Sequence, residues 1–164
     1  DMPSGGLVGR AALIMISQKA KYALRALVAL ARAEPTGRTP TVGEIAAEQS
    51  IPKKFLEQIL LDLKHHGIVS SKRGKAGGYM LLKPANRITY GEILRMVDGP
   101  IALLPCLSVV AYRRCDDCQD EQTCEVRHVF AKVAQASRDI LDQTTIGESI
   151  AFENDTEILE ATVL

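Results

Sequence analysis

Residues 51–83, IPKKFLEQILLDLKHHGIVSSKRGKAGGYMLLK, constrain the fold more than any other stretch of the chain. Pro52 suits a first helical position, because its missing N–H would have no helical partner there in any case. Leu56, Ile59, Leu60 and Leu63 then recur at the spacing of one apolar helical face. Lys53, Lys54, Glu57, Gln58 and Lys64 fall largely off that face. His65 and His66 sit in the last turn, and Gly67 is placed to end the helix. Two short strands are expected next, IVSS and GYMLL, around the basic, glycine-rich tip Lys72-Arg73-Gly74-Lys75-Ala76-Gly77-Gly78. A helix with a polar outer face followed at once by a basic hairpin is the DNA-contacting half of a winged helix-turn-helix. Such a helix enters a major groove. The hairpin tip touches phosphates or the minor groove.

The flanking segments complete that arrangement. Residues 17–33 are expected to form a first helix, capped by Ser17 and burying Tyr22, Ala23, Ala26, Leu27 and Leu30, with Leu24 at the edge. Lys19, Lys21 and Arg25 near its start either reach DNA phosphates or form a solvated face. EPTGRTP (34–40) is a loop by composition. Thr41-Val42-Gly43-Glu44 matches a capping box and opens a short helix with Ile45 and Ala46 inward. Gln49-Ser50 then turns the chain into the helix at Pro52, which is helix-turn-helix spacing. After the wing, Pro84-Ala85-Asn86 breaks the chain. A second capping box, Thr89-Tyr90-Gly91-Glu92, starts a helix that carries Ile93, Met96 and Val97 and stops at Gly99-Pro100.

Charge and composition narrow the class. Aromatic residues make up 4% of the chain and Trp is absent, so Leu, Ile, Val and Ala supply the apolar mass, which favours helices packed on helices. No run of about 18 apolar residues exists, so no membrane span is expected. The formal net charge is zero, but residues 15–100 carry 14 Lys and Arg against 7 Asp and Glu, while residues 101–164 carry 5 against 12. A front of net +7 and a back of net −7 suggest that only the front meets a polyanion. The plain alternative is that the two halves attract each other.

All four cysteines, Cys106, Cys115, Cys118 and Cys124, fall within one 19-residue window. Ala11–Ile16 is too short an apolar core for a secretory signal, so a cytoplasmic chain is expected. Clustered cysteines in that setting point to metal or redox chemistry rather than disulfide staples. The spacing is Cys106-x8-Cys115-x2-Cys118-x5-Cys124, followed by His128. Arg113, Arg114 and Arg127, with a helix start at Cys124, favour thiolates there. Converging thiolates suit an iron–sulfur cluster, either [2Fe-2S] or [4Fe-4S]. Structural zinc and a thiol or disulfide switch remain open, although zinc usually takes paired C-x2-C units and only Cys115/Cys118 is one. An enzyme built on that dithiol has no thioredoxin-like βαβ context to support it. A protein-interaction module that binds no DNA is a further alternative.

Thr123 can cap a long helix from about Cys124 to Thr144, on which Val126, Val129, Phe130, Val133, Ser137, Ile140 and Leu141 form a stripe near heptad spacing. Such a helix at the end of a small DNA-binding domain pairs with its twin or folds back on its own chain. The organisation expected from sequence is therefore mainly α with a small β-hairpin wing. Residues 1–14 form an N-terminal extension or an expression remnant. Residues 15–99 form the winged helix-turn-helix domain, 100–123 a Cys-rich loop, 124–145 a dimerisation helix and 146–164 an acidic flexible tail.

QKAKYALRAL (18–27), FLEQIL (55–60), GIVSSKRGKAGGYML (67–81) and ITYGEILRMVDG (88–99), followed by a Cys-rich loop and a long helix, resemble the Rrf-type winged helix-turn-helix transcriptional regulator family. The match runs from about Ser17 to Thr144. It implies a dimeric bacterial transcription regulator bound to a near-palindromic double-stranded operator, and a homodimeric repressor is the expectation for this chain. It implies that Lys54, Phe55, Glu57 and Gln58 lie on the recognition helix and Arg73, Gly74 and Lys75 at the wing tip. In many members three cysteines hold an iron–sulfur cluster that controls DNA binding. Here Cys118 and Cys124 keep the family's interval, Cys106 is farther off and Cys115 is additional. Arg127 stands where some relatives place a ligating His, with His128 one position on, and Lys21 stands where others place an acidic ligand. Three or four of the cysteines are therefore the candidate ligands, and the last ligand is open.

Overall fold

Ser17 starts the fold by two sets of hydrogen bonds. Its hydroxyl accepts the N–H of Ala20 at 3.0 Å, capping helix α1, Gln18–Ala33. Its own N–H and hydroxyl donate to the Asp98 carboxylate, 81 residues away, which ties the two chain segments together. The computed structural model describes residues 16–154. The expected extension at 1–14 and positions 155–164 of the expected tail lie outside the described residues.

Helix α1 is the central post. Ala20, Ala23, Ala26, Leu27, Ala29 and Leu30 are buried, and the small alanine side chains let other elements approach its backbone from several sides. Helix α2, Val42–Gln49, begins with the expected capping box. Thr41 N–H donates to Glu44 Oε2 at 2.7 Å, and Glu44 N–H donates to Thr41 Oγ1 at 3.2 Å. The backbone N–H of Thr41 is the main cause holding the Glu44 carboxyl below its ordinary value. Ser50 makes the turn in the left-handed region at φ 52°, and the Arg25 guanidinium donates to the Gln49 carbonyl just before it.

Helix α3 runs Lys53–His65, with Pro52 as its cap rather than its first helical residue. Its buried face is Leu56, Ile59, Leu60 and Leu63, as the periodicity predicts. Gly67, at φ 72°, ends it in a Schellman motif. The N–H of Ile68 donates to the Leu63 carbonyl and that of Gly67 to the Lys64 carbonyl, both at 3.0 Å. Strands β1, Val69–Lys72, and β2, Gly78–Leu81, pair antiparallel with Lys72 opposite Gly78. Lys72 and Gly78 therefore belong to the strands, and the tip is 73–77. Gly78 is required by its neighbour, because a Cβ there would lie 2.0 Å from the Thr39 carbonyl oxygen. That close approach lets Tyr79 N–H donate to the Pro40 carbonyl at 2.8 Å and anchors the wing to the loop before α2.

Helix α4, Tyr90–Asp98, is capped by Thr89, whose hydroxyl accepts the Glu92 N–H at 3.1 Å. The other half of the expected capping box is replaced. The Glu92 carboxylate takes the Lys83 ammonium at 2.7 and 2.8 Å instead, because β2 brings Lys83 within reach. Helix α5 is Glu125–Gln143. Cys124, not Thr123, is its cap, and the Thr123 hydroxyl donates to Asp120 at 3.1 Å.

The apolar stripe of α5 divides into two faces. Phe130, Ala134, Ser137 and Leu141 are buried or half-buried, and α5 packs against α4. Arg95 of α4 and Asp142 of α5 add an ion pair at 2.7 Å. Val126, Val129, Val133 and Ile140 are exposed. The predicted tail is corrected at its start. Residues Ile146–Ser149 form helix α6, capped reciprocally by Thr145 and Glu148. Ile146 is fully buried, its N–H donates to the Ile88 carbonyl at 2.8 Å, and Thr145 bridges Thr89 as a β-pair. Burial of one isoleucine against α1 and the 88–90 backbone outweighs the acidic composition of the segment.

Candidate nucleic-acid interface and cysteine loop

The outer face of α3 presents Lys53, Lys54, Glu57 and Gln58 to solvent. Phe55 does not join them. Its half-buried ring meets Tyr22 of α1 edge-on, with centroids 5.6 Å apart at 74°, so it fastens the helix to the core. Aromatic pairs of this geometry add roughly 0.5–1.5 kcal/mol beyond burial. Lys19 is also engaged. Its ammonium donates to Asp62 Oδ2 at 2.7 Å, and Asp62 Oδ1 accepts Gln58 Nε2 at 3.2 Å. The hydrogen bond from Lys19 is the main cause holding the Asp62 carboxyl below its ordinary range. This placement of Asp62 is not legible from sequence, since it depends on partners from a neighbouring turn and another helix. Lys21 is exposed on α1. At the wing, Lys72, Arg73, Gly74 and Lys75 are all exposed, and Gly74 holds φ 109°, which glycine adopts without strain. Lys64 Nζ donates to Ser71 Oγ at 2.7 Å and ties the end of α3 to the first wing strand.

The cysteines occupy the segment that joins α4 to α5, and all four are free thiols. Cys106 is buried on a short 3-10 turn, Pro105–Leu107, that packs on α5. Cys115 is exposed and Cys118 half-buried, with the Cys118 N–H donating to the Cys115 carbonyl at 3.2 Å. Cys124 caps α5, its Sγ accepting the Arg127 N–H at 3.4 Å. The loop is held in shape by Arg113 N–H on the Pro105 carbonyl at 3.1 Å and by Arg114 Nη2 on the carbonyls of Cys118 and Gln119 at 3.0 and 2.9 Å. Tyr112 donates to Glu121 at 2.5 Å, which raises the phenol above its ordinary value.

Although Cys115 lies at the surface, crowding strips some water from its sulfur and pushes its thiol up. The charges of Cys106, Asp117, Cys118 and Cys124 push it further the same way. The arginines expected to favour thiolate here therefore do not prevail at Cys115. His128 has its Nε2 2.6 Å from the Gln122 carbonyl, so that nitrogen is engaged with backbone. Arg127 Nε is buried and, among the described residues, has no hydrogen-bond partner.

The segment suits an iron–sulfur cluster in chemistry but not in position. Four free thiols on one segment and a buried guanidinium nitrogen that, among the described residues, lacks an acceptor are the right donor set and counter-charge. Yet among the described residues no three His, Cys, Asp or Glu side chains are grouped as a metal ion would need. To hold such a group, the loop would have to bring its sulfurs closer together.

The helix-turn-helix, the solvent-facing polar side of α3 and the basic hairpin define a winged-helix DNA-binding protein. The model of the Rrf2 family, described as an iron-dependent transcriptional regulator, matches residues 16–151, and the chain belongs to that family. Its relatives are transcriptional regulators rather than enzymes. The rrf2-like HTH-type transcriptional regulator of Rhodobacter capsulatus is 47% identical over 142 residues, covering 85% of this chain and 95% of the relative. IscR of Klebsiella pneumoniae is 30% identical over 145 residues, covering 88% and 83%. The structure of CymR, the global cysteine regulator of Bacillus subtilis, superposes with a TM-score of 0.70 at 27% identity, covering 85% of this chain and 98% of that one. Among the described residues no helix is long and apolar enough to cross a membrane.

Proposed function

We propose that the chain is a homodimeric repressor whose affinity for a near-palindromic operator is set by an iron–sulfur cluster on the cysteine loop. The DNA-reading half of this proposal is carried by the outer face of α3. Lys53, Lys54, Glu57 and Gln58 are exposed together on a helix that the core holds rigidly from behind. Lys54 and Gln58 are the candidates for base edges, and Lys21, Lys53, Arg73 and Lys75 for phosphates. Gly74 lets the wing backbone approach the duplex. The cluster half is supported by the four free thiols between α4 and α5 and by the iron-dependent description of the family.

When bound, the cluster supplies a redox-sensitive and oxygen-sensitive knot of iron–thiolate bonds. The chain's own residues give that knot leverage. Cys106 sits on a turn packed against α5, and Cys124 is the cap of α5. Holding a cluster with these sulfurs would draw on the start of α5, through Cys124 as its cap and Cys106 on the turn packed against it. With α5 setting the spacing between two copies of α3 in the proposed dimer, such a change would give the two loop states different affinities for DNA. That difference in affinity is what coupling requires. Structural zinc or thiol chemistry on the same cysteines is the second reading. The Cys115–Cys118 turn, with its two free thiols three positions apart in the chain, favours it specifically.

Arg73→Ala tests the division of labour at the interface. Its affinity for all duplexes should fall to a similar extent, and the slope of log affinity against log salt should flatten by about one. Fluorescence anisotropy across a salt series measures both. Loss confined to one base position would show that Arg73 reads sequence instead.

A further inference from the structure

We propose that Asp62 determines which base α3 prefers, by holding Gln58 in one orientation while Lys19 neutralises its charge. This rests on α3 entering a major groove, as argued above. Asp62 follows Gln58 by one helical turn and is half-buried between α3 and α1. Its two oxygens have separate partners. Oδ1 accepts Gln58 Nε2 at 3.2 Å and Oδ2 accepts Lys19 Nζ at 2.7 Å.

Each partner solves a different problem. A carboxylate on a helix that faces phosphates weakens binding to every duplex unless its charge is cancelled. Lys19 cancels it from α1, which assigns Lys19 to Asp62 rather than to a phosphate. A glutamine amide has a donor end and an acceptor end, and a free one can flip to present either. An ionised carboxylate only accepts hydrogen bonds, so Asp62 holds the NH2 end and repels the flipped form, which would bring Oε1 against it. Oε1 and the second Nε2 hydrogen are what remain to meet the groove. An outward acceptor selects a base that offers an amino group, adenine N6 or cytosine N4. Adenine alone adds N7 for the remaining N–H, so Gln58 held this way prefers adenine.

Selection from a randomised duplex library tests this with the full-length protein and its Asp62→Ala, Asp62→Asn, Gln58→Ala and Gln58→Ala/Asp62→Ala variants. The wild type should favour adenine at one position per half-site by about tenfold or more. Asp62→Ala should lose that preference without losing affinity for mixed-sequence DNA. Asp62→Asn keeps a carbonyl acceptor for Gln58 and should recover part of the preference. It also carries the test if the alanine variant does not fold. Once Gln58 is alanine, removing Asp62 should change no base preference, which separates positioning from a general structural effect. The proposal is overturned if Asp62→Ala and Asp62→Asn both select the wild-type sequence, or if Asp62→Ala shifts selection equally in the absence of Gln58. A wild type that binds no duplex at low salt overturns the DNA-reading proposal itself. A wild type that selects a site unaffected by Asp62 overturns this inference alone.

Discussion

Ile146→Ala should lower the stability of the whole DNA-binding unit by about 2–5 kcal/mol, the usual cost of truncating a fully buried isoleucine. The site has little means of collapsing to fill the gap. Ile146 is fully buried, and the backbone around it is pinned by its own N–H on the Ile88 carbonyl and by the Tyr90 N–H on the Thr144 carbonyl at 3.0 Å. Native domains hold only about 5–15 kcal/mol of net stability, so this is a large share. A thermal melt followed by circular dichroism, at fixed protein concentration, should show a midpoint lowered by roughly 5–20 °C. A midpoint within error of the wild type would mean that residues 146–149 are not part of the core.

If the chain pairs through α5, as proposed, the double variant Val129→Asp/Val133→Asp should be a folded monomer where the wild type is a dimer. Val126, Val129, Val133 and Ile140 are 56%, 57%, 44% and 65% exposed, and they lie on the side of α5 away from its own core. Their spacing repeats close to every 3.5 residues, the seam of a paired helix. Two aspartates per chain would face their twins across a two-fold axis, at positions that contribute little to the chain's own core. Sedimentation should report a monomer, and the melt should lose only the contribution of dimerisation. Affinity for an operator with two half-sites should fall by about a hundredfold or more, because linkage between the two readers is gone. Affinity for an isolated half-site should be unchanged. A variant that still sediments as a dimer would place the interface elsewhere.

Much of the DNA-binding half was legible because its signals are local. Thr41 with Glu44, the Leu56–Leu63 stripe, Gly67 and the glycine-rich tip each specify an element within a few residues, and each element formed within one residue of its expected bounds. What the sequence hid depends on partners distant in the chain. The α5 stripe reads as one face, and only the elements packed on it, α4 and the Pro105–Leu107 turn, decide that Phe130 and Leu141 are half-buried while Val129 and Ile140 stay exposed. Phe55 sits at the edge of its helical stripe, and only Tyr22 draws it to the core. Helix α6 did carry a local signal. Thr145-Ile146-Gly147-Glu148 repeats the Thr-x-Gly-Glu pattern of 41–44 and 89–92, but the surrounding acidic residues masked it. In the cysteine loop, the spacing reveals the donor set. It does not reveal that Cys106 is buried while Cys115 is exposed, because that depends on what packs against each part of the loop.

The most direct measurement is the visible absorption spectrum of protein purified without oxygen, with iron, sulfide and zinc assayed on the same sample and its operator affinity compared before and after iron chelation. Cluster control predicts broad sulfide-to-iron charge-transfer absorption, iron matching sulfide, and an operator affinity that changes when the iron is removed. A colourless protein that reconstitution with iron and sulfide fails to load, yet binds its operator with an affinity indifferent to chelation, would contradict it.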